Sequence, residues 1–371
     1  MLRKEEIDFF HELSNPERES TFTHNIYSYP AKFLSHLPRG LISKLSNEGD
    51  LICDPFAGGG TTGLEAMLLN RRFIGYDINP FSILVSKVKT TYIPSETIKN
   101  TLNEIIENSP SVNAKINILD QTDKVCLGDK IALEINRIAA YIKKEIQEAR
   151  QQSFFRLALI HTTKIIGRRD FELRKNWKKI SFTPMFIRKC NKMSDAVCSL
   201  PREYKYLPKF RLGSNHDMKI SDKDVDLIIT SPPYLNVDVE YQKLQLQRRS
   251  IQKSKRSDII NNILDTDPLP NSVLCWKGEK GEKYWRNLEK SLNECYRVIK
   301  SKRHLCLWTG FKNQEDENRL LTLYKDINFS LLETIPIKLS SNRAASSRST
   351  HHKRKTGMMK KDFLYILQKR A

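Results

Sequence analysis

The stretch LICDPFAGGGTTGLEAMLLN, residues 51–70, decides the fold. LICDPF is an apolar run of strand length, Gly58, Gly59 and Gly60 form a loop without side chains, and Thr61 and Thr62 open a helix. RFIGYDI (72–78) reads as a second strand ending on Asp77, and Pro80 begins another helix over PFSILVSKVKT. Strand, loop, helix and strand in close succession start a parallel α/β sheet. Glycines let a ligand approach the backbone, a helix N-terminus offers free N–H groups, and a carboxylate closing the next strand can accept both ribose hydroxyls. The spacing is neither the GxGxxG of dinucleotide binding nor the GxxxxGK[ST] of a phosphate loop. Hydride transfer and triphosphate hydrolysis are therefore disfavoured.

Upstream, residues 1–21 read as a short helix with a polar exit, and FLSHLPRGLISKLSNEGD (33–50) as a helix closing at Gly49. Downstream, residues 95–205 carry apolar residues at three- and four-residue spacing with few strand signals, which predicts a mostly helical insertion. Strands resume at KFRLGS (209–214) and DVDLIITSPPY (224–234). A helix follows over 284–304, then a strand, LCLWTG (305–310), and the chain closes on a strand in DFLYILQK (362–369). The expected division is a cofactor-binding half over 1–94, the insertion over 95–205 as the candidate target-recognition region, and a catalytic half over 206–371 with a basic loop at 341–361.

The strand over 224–234 delivers Ser231-Pro232-Pro233-Tyr234 to its C-terminal edge, where open α/β sheets hold their ligands. The two prolines fix φ and remove two N–H donors, leaving carbonyls that can only accept. Such a turn suits an amino group, offering a hydroxyl, a fixed carbonyl and an aromatic face.

Composition narrows the partner. The 371 residues carry 63 Lys and Arg against 43 Asp and Glu, a net charge of +20. Residues 150–192 have a net charge of +10, residues 243–256 of +6 and residues 341–371 of +8, so the remainder is slightly acidic. A nearly neutral body with three basic patches, one interleaved with Phe154, Phe155, Phe171, Trp177 and Phe182, points to a polyanion such as nucleic acid. The candidate contacts are Arg168, Arg169, Arg174, Lys175, Lys178 and Lys179 in the first patch, Arg248 and Arg249 in the second, and Arg343, Arg348, Lys353 and Arg354 in the third. The seven cysteines are scattered without a CxxC pair, which argues against disulfides or a structural metal and for a reducing cytoplasm. No apolar run is long enough for a membrane span.

With these residues in view, the chain resembles the DNA amino-methyltransferases, which use S-adenosylmethionine to modify N4 of cytosine or N6 of adenine. DPFAGGGTT (54–62) is similar to their cofactor loop and TSPPYLN (230–236) to their catalytic tetrapeptide. The Tyr-Pro-Ala-Lys-Phe segment at 29–33 resembles the one that lies against the cofactor's methionine end. GYDINP (75–80) resembles the ribose contact, and RLGSNHDMK (211–219) a strand followed by a Gly-Asp signature. The resemblance implies a Rossmann-like class I methyltransferase fold, α/β with a central, mostly parallel sheet and a mainly helical insertion. It implies cofactor contacts at Tyr29, Pro30, Lys32, Phe33, Asp54, Pro55, Phe56, Gly58, Gly60, Thr61, Thr62, Asp77, Asn79 and Asp217. It also implies catalysis by Ser231, Pro232, Pro233 and Tyr234 on a flipped base of double-stranded DNA, with a restriction endonuclease as a functional partner.

Serine at the first tetrapeptide position resembles the N4-cytosine enzymes, so cytosine N4 is the expected target. N6-adenine methylation, RNA base methylation and an inactive DNA-binding descendant remain the alternatives. C5 methylation would need a Pro-Cys pair and a deaminase would need HxE with PCxxC, and the chain has neither.

Overall fold

The computed structural model describes residues 22–29, 33–113, 118–168, 181–235, 244–248, 253–267, 281–311, 313–337 and 361–371, together with Glu5, Asp8, Phe9 and Trp276; in Arg168, 244–248, 253–256 and Lys361 only the backbone is described. The strands are β1 (Leu51–Asp54), β2 (Arg72–Asp77), β3 (Lys209–Leu212), β4 (Val225–Thr230), β5 (Leu244–Arg248), β6 (Lys253–Ser257), β7 (Ile299–Phe311), β8 (Phe329–Ile337) and β9 (Lys361–Lys369). Seven of them form one sheet in the order β3-β2-β1-β4-β7-β9-β8. The first five are mutually parallel, and β9 runs antiparallel between β7 and β8. This is the expected class I Rossmann-like methyltransferase arrangement. The order of build-out reverses between β1 and β4, and an open sheet forms its ligand crevice beyond the strand ends at such a point.

Alternate residues of the central strands enter two separate cores. Ile52, Leu227, Ile229, Cys306 and Ile366 pack on one face with Leu37, Leu41 and Ile42 of α1 (His36–Leu45) and Ala66 of α2 (Thr61–Leu68). Cys53, Ile228, Leu305, Leu307 and Leu367 pack on the other face, against helices over Glu282–Val298 and Gln314–Asp326. Because both faces are covered, the strands read as continuous apolar runs.

The helix α3 (Pro80–Lys89) presents Phe81, Leu84, Val85 and Val88 to a third core. That core is filled by the helices of the insertion: α4 (Ser95–Asn108), α5 (Gln121–Leu127), α6 (Asp129–Glu145), α7 (Ala149–Arg168) and α8 (Phe182–Cys198).

Three sequence expectations need correction. Phe154, Phe155 and Phe182 do not intersperse a nucleic-acid surface; each is completely buried, because α7 and α8 turn them into the insertion's core. The strand β7 begins at Ile299, inside the span expected to be helical, where Ile299 pairs with Val225. Its first residues read as helix because the polar stretch Lys300 to Arg303 bulges between the Val225–Ile299 and Leu227–His304 pairs and shows no strand alternation. The strand β8 was not expected at all. It packs Phe329, Ile335 and Ile337 inward at the sheet edge, where Pro336 is tolerated. The basic segment over 243–256 contributes a hairpin, with Leu244 opposite Ser257 and Arg248 opposite Lys253.

Candidate active site

The cofactor-loop strand and the tetrapeptide strand are neighbours. Ile52 pairs with Leu227 and Cys53 with Ile228, so Asp54 and Thr230 finish their strands side by side. Asp54 is 1% exposed, and its carboxylate fastens the two ends together. Oδ1 accepts from the Thr230 hydroxyl at 2.7 Å and the Phe56 amide at 3.1 Å, and Oδ2 accepts from the Thr62 hydroxyl at 2.8 Å. Burial pushes the Asp54 carboxyl up to about 6, against the opposing pull of these three donors. At the opposite end of the same strands, Asp226 accepts from the Leu51 amide at 2.9 Å and from Lys300 at 2.7 Å.

The glycine loop is shaped by close approach. Gly58 and Gly60 have φ of +50° and +71°, a region that favours glycine. A Cβ on Gly59 would stand 3.1 Å from Tyr29 Cβ, and one on Gly60 2.7–2.9 Å from Ser86. The Gly58 carbonyl accepts from Ser86 of α3, and the single Ser82 proton is shared between that carbonyl and Asp77 Oδ2. The Gly58 amide donates to Asp77 Oδ2 at 2.9 Å, Ser82 donates to the same oxygen at 2.8 Å, and the Asn79 amide donates to Oδ1 at 2.8 Å. Burial pushes the Asp77 carboxyl up despite these bonds. They take three of about four lone-pair sites, so a ribose diol would share Asp77 with the loop's own donors.

The N-terminal segment lies on this loop. Asn79 caps α3 through the Phe81 amide and donates to the Tyr29 hydroxyl at 3.1 Å, holding the tyrosine over Gly58 and Gly59. His24 Nε2 lies 2.6 Å from Glu65 Oε1, and Arg39 donates to Glu65 Oε2 at 2.9 Å, which ties the segment to α2 and α1. Phe33 is buried with its ring 5.0 Å from that of Trp308. Lys164 of α7 donates to the Ser28 carbonyl at 3.0 Å with its ammonium over the Tyr27 ring. Part of the first basic stretch is therefore internal scaffolding.

The tetrapeptide leaves β4 with Ser231, Pro233 and Tyr234 half-buried and Pro232 buried. The Tyr234 hydroxyl donates to Asp362 Oδ2 at 3.1 Å, and Trp308 Nε1 donates to the same oxygen at 3.2 Å. Burial, and then the charge of Asp362, hold the Tyr234 hydroxyl protonated far above the usual range, so it remains a donor.

The sequence reading missed Asp362 and Trp308; an indole N–H inside the apolar LCLWTG strand was the one signal that a buried acceptor lay nearby. It also missed Trp276, whose ring lies 5.3 Å from that of Phe56. Tyr29, Phe33, Asp54, Pro55, Phe56, Gly58, Gly60, Thr61, Thr62, Asp77 and Asn79 all lie in the loop, the elements beside it or the segment packed on them. Asp217 is instead an exposed residue paired with Lys219 at 2.5 Å, while Asn215 of the same segment is buried and accepts from Ser291.

Pro30, Lys32, Arg169, Arg174, Lys175, Lys178, Lys179, Arg249, Arg343, Arg348, Lys353 and Arg354 lie outside the described residues, as do the side chains of Arg168 and Arg248. Among the described residues no His, Cys, Asp and Glu group could hold a metal, and no helix is long and apolar enough to cross a membrane.

A family model described as DNA methylase matches residues 4–87. The chain is 24% identical over 338 residues to the type II methyltransferase M.MvaI of Kocuria varians, covering 75% of this chain and 74% of that protein. It is 30% identical over 102 residues to the type II methyltransferase M.MjaII of Methanocaldococcus jannaschii, covering 28% of this chain and 19% of that protein. It is 40% identical over 67 residues to the orphan methyltransferase M.BamHII of Bacillus amyloliquefaciens, covering 18% of this chain and 25% of that protein.

The sheet order and the glycine loop define a class I, Rossmann-like methyltransferase fold. Residues 4–87 are thus similar to DNA methylases, and three quarters of the chain is similar to a type II methyltransferase.

Proposed function

We propose that this protein methylates the exocyclic N4 amine of a cytosine flipped out of duplex DNA, as the modification enzyme of a restriction system. The observation that carries the reading is the shared carboxylate of Asp54, which accepts from Thr62 at the cofactor loop and from Thr230 immediately before Ser231. Donor site and acceptor site thereby open into one crevice. The relatives named as type II methyltransferases support the modification role, and serine at position 231 supports cytosine N4 over adenine N6.

S-adenosylmethionine supplies an electrophilic sulfonium methyl group when bound. The loop of Gly58 to Gly60 would hold the nucleoside through its backbone, and Asp77 would take the ribose. Asp54 holds the loop and β4 at a fixed spacing. A target amine is inaccessible inside the base stack, so the base must leave the duplex. Tyr234 provides the face on which it stacks. The Ser231 hydroxyl and the Pro232 carbonyl accept from the amine and turn its lone pair toward the methyl group. Serine is too weak a base to remove a proton early, so orientation supplies most of the acceleration, about 7–11 kcal/mol. The alkylated amine then loses its proton to water.

The test is to incubate the protein with duplex DNA and methyl-labelled cofactor, digest to nucleosides and identify the labelled base. N4-methylcytosine is the expected product. N6-methyladenine would overturn the serine argument, and label confined to RNA substrates would overturn the DNA assignment.

A further inference from the structure

Tyr234 is anchored from below as well as offered from above. Its hydroxyl donates to Asp362 on β9, 128 residues further along the chain. Asp362 is 6% exposed, and the same carboxylate oxygen is held from the other side by the indole N–H of Trp308 on β7, which is 4% exposed. Trp308 in turn packs against Phe33, next to the segment lying on the cofactor loop. A stacking platform for a base needs only a ring, which phenylalanine would supply. Here the ring also carries a hydrogen bond to a buried carboxylate, and rotating it about its Cα–Cβ bond would break that bond and strand Asp362 with one donor. Bonds to an ionised, desolvated acceptor are about twice as strong as neutral ones.

We propose that Asp362, braced by Trp308, is a positioning residue that fixes the Tyr234 ring in the pose that receives the target base. The antiparallel strand β9, inserted between β7 and β8, supplies that brace. The inference rests on the reading of Tyr234 as the base platform.

It is tested with Tyr234→Phe, Asp362→Leu, Asp362→Asn and the double variant Tyr234→Phe/Asp362→Leu in the full chain. The measurements are kcat and KM for methyl transfer to duplex DNA, cofactor affinity by calorimetry, and fluorescence of 2-aminopurine at the target position. Tyr234→Phe removes the bond while keeping Asp362 and its Trp308 donor in place, so it answers the question even where Asp362→Leu fails to fold. It should lower kcat about ten- to hundred-fold, the rate equivalent of one hydrogen bond to a charged group. It should leave cofactor affinity unchanged and alter the 2-aminopurine signal of the flipped base.

Asp362→Asn, which keeps a carbonyl acceptor, should retain most of the activity, and the double variant should be no worse than Asp362→Leu. Wild-type kcat in Tyr234→Phe would overturn the proposal, and so would additive losses in the double variant. Wild-type protein that methylates no base would remove the underlying reading itself. Transfer that is intact in wild type and in Tyr234→Phe removes only the positioning role.

Discussion

Thr230→Val cuts the link between the two strand ends while preserving the β-branched shape. Thr230 is 1% exposed, and its hydroxyl is one of three donors to Asp54. A hydrogen bond to a charged group contributes about 1.5–3 kcal/mol, equivalent to about one to two pH units on the carboxyl it serves. Thr230 opposes the burial that leaves the Asp54 carboxyl at about 6, so its loss moves that value further up. The sign follows from proton uptake. Between the unfolded carboxyl value near 4 and the raised folded value, the folded state holds a proton that the unfolded state releases, so stability falls as pH rises through that window. In wild type the fall ends just above 6; in Thr230→Val it continues to about 7–8. Urea unfolding should therefore give nearly equal stabilities at about pH 5 and a deficit of about 1.5–3 kcal/mol by about pH 8.5. A deficit independent of pH, or one below about 0.5 kcal/mol at the higher pH, would refute the idea that an ionised Asp54 joins the loop to the tetrapeptide strand.

Gly60→Ala should destabilise the fold by more than the about 1–2 kcal/mol of left-handed strain, because its Cβ meets the Ser86 backbone at 2.9 Å. Gly281→Ala, at φ +94° and ψ −12° with its nearest neighbour at 3.5 Å, isolates the left-handed strain alone; equal losses in calorimetric unfolding would contradict the close-packed cradle. Glu65→Gln should cost about 1–3 kcal/mol in urea titration by disturbing the His24 and Arg39 contacts of a carboxylate that is 2% exposed, and an unchanged midpoint would show that the N-terminal segment is held by packing alone. Duplex binding measured against salt should weaken with a slope of about −0.9 for each phosphate neutralised, and a flat dependence would remove the role given to the basic stretches.

How much was legible followed the range of the signal. The unit from Leu51 to Asp77 could be read because strand, glycine loop and helix cap act within a few residues of one another. Ser231 to Tyr234 could be read because two prolines leave a turn few conformations. Phe154, Phe155 and Phe182 were misread because an aromatic among lysines has the same local pattern whether its helix faces solvent or another helix. The early start of β7 was hidden for a related reason, since the charged residues preceding Leu305 obscure pairing with a partner more than 70 residues away.

The chain's own order of residues determined a glycine loop, an acidic strand end and a proline-stiffened turn, since each depends on backbone geometry that neighbouring side chains dictate. Only the tertiary structure decided that β1 and β4 lie adjacent, that one buried carboxylate serves both, and that Asp362 reaches beneath Tyr234. Those contacts join groups 128 to 176 positions apart. Their partners are chosen by the order in which strands enter the sheet, and no local periodicity encodes that order.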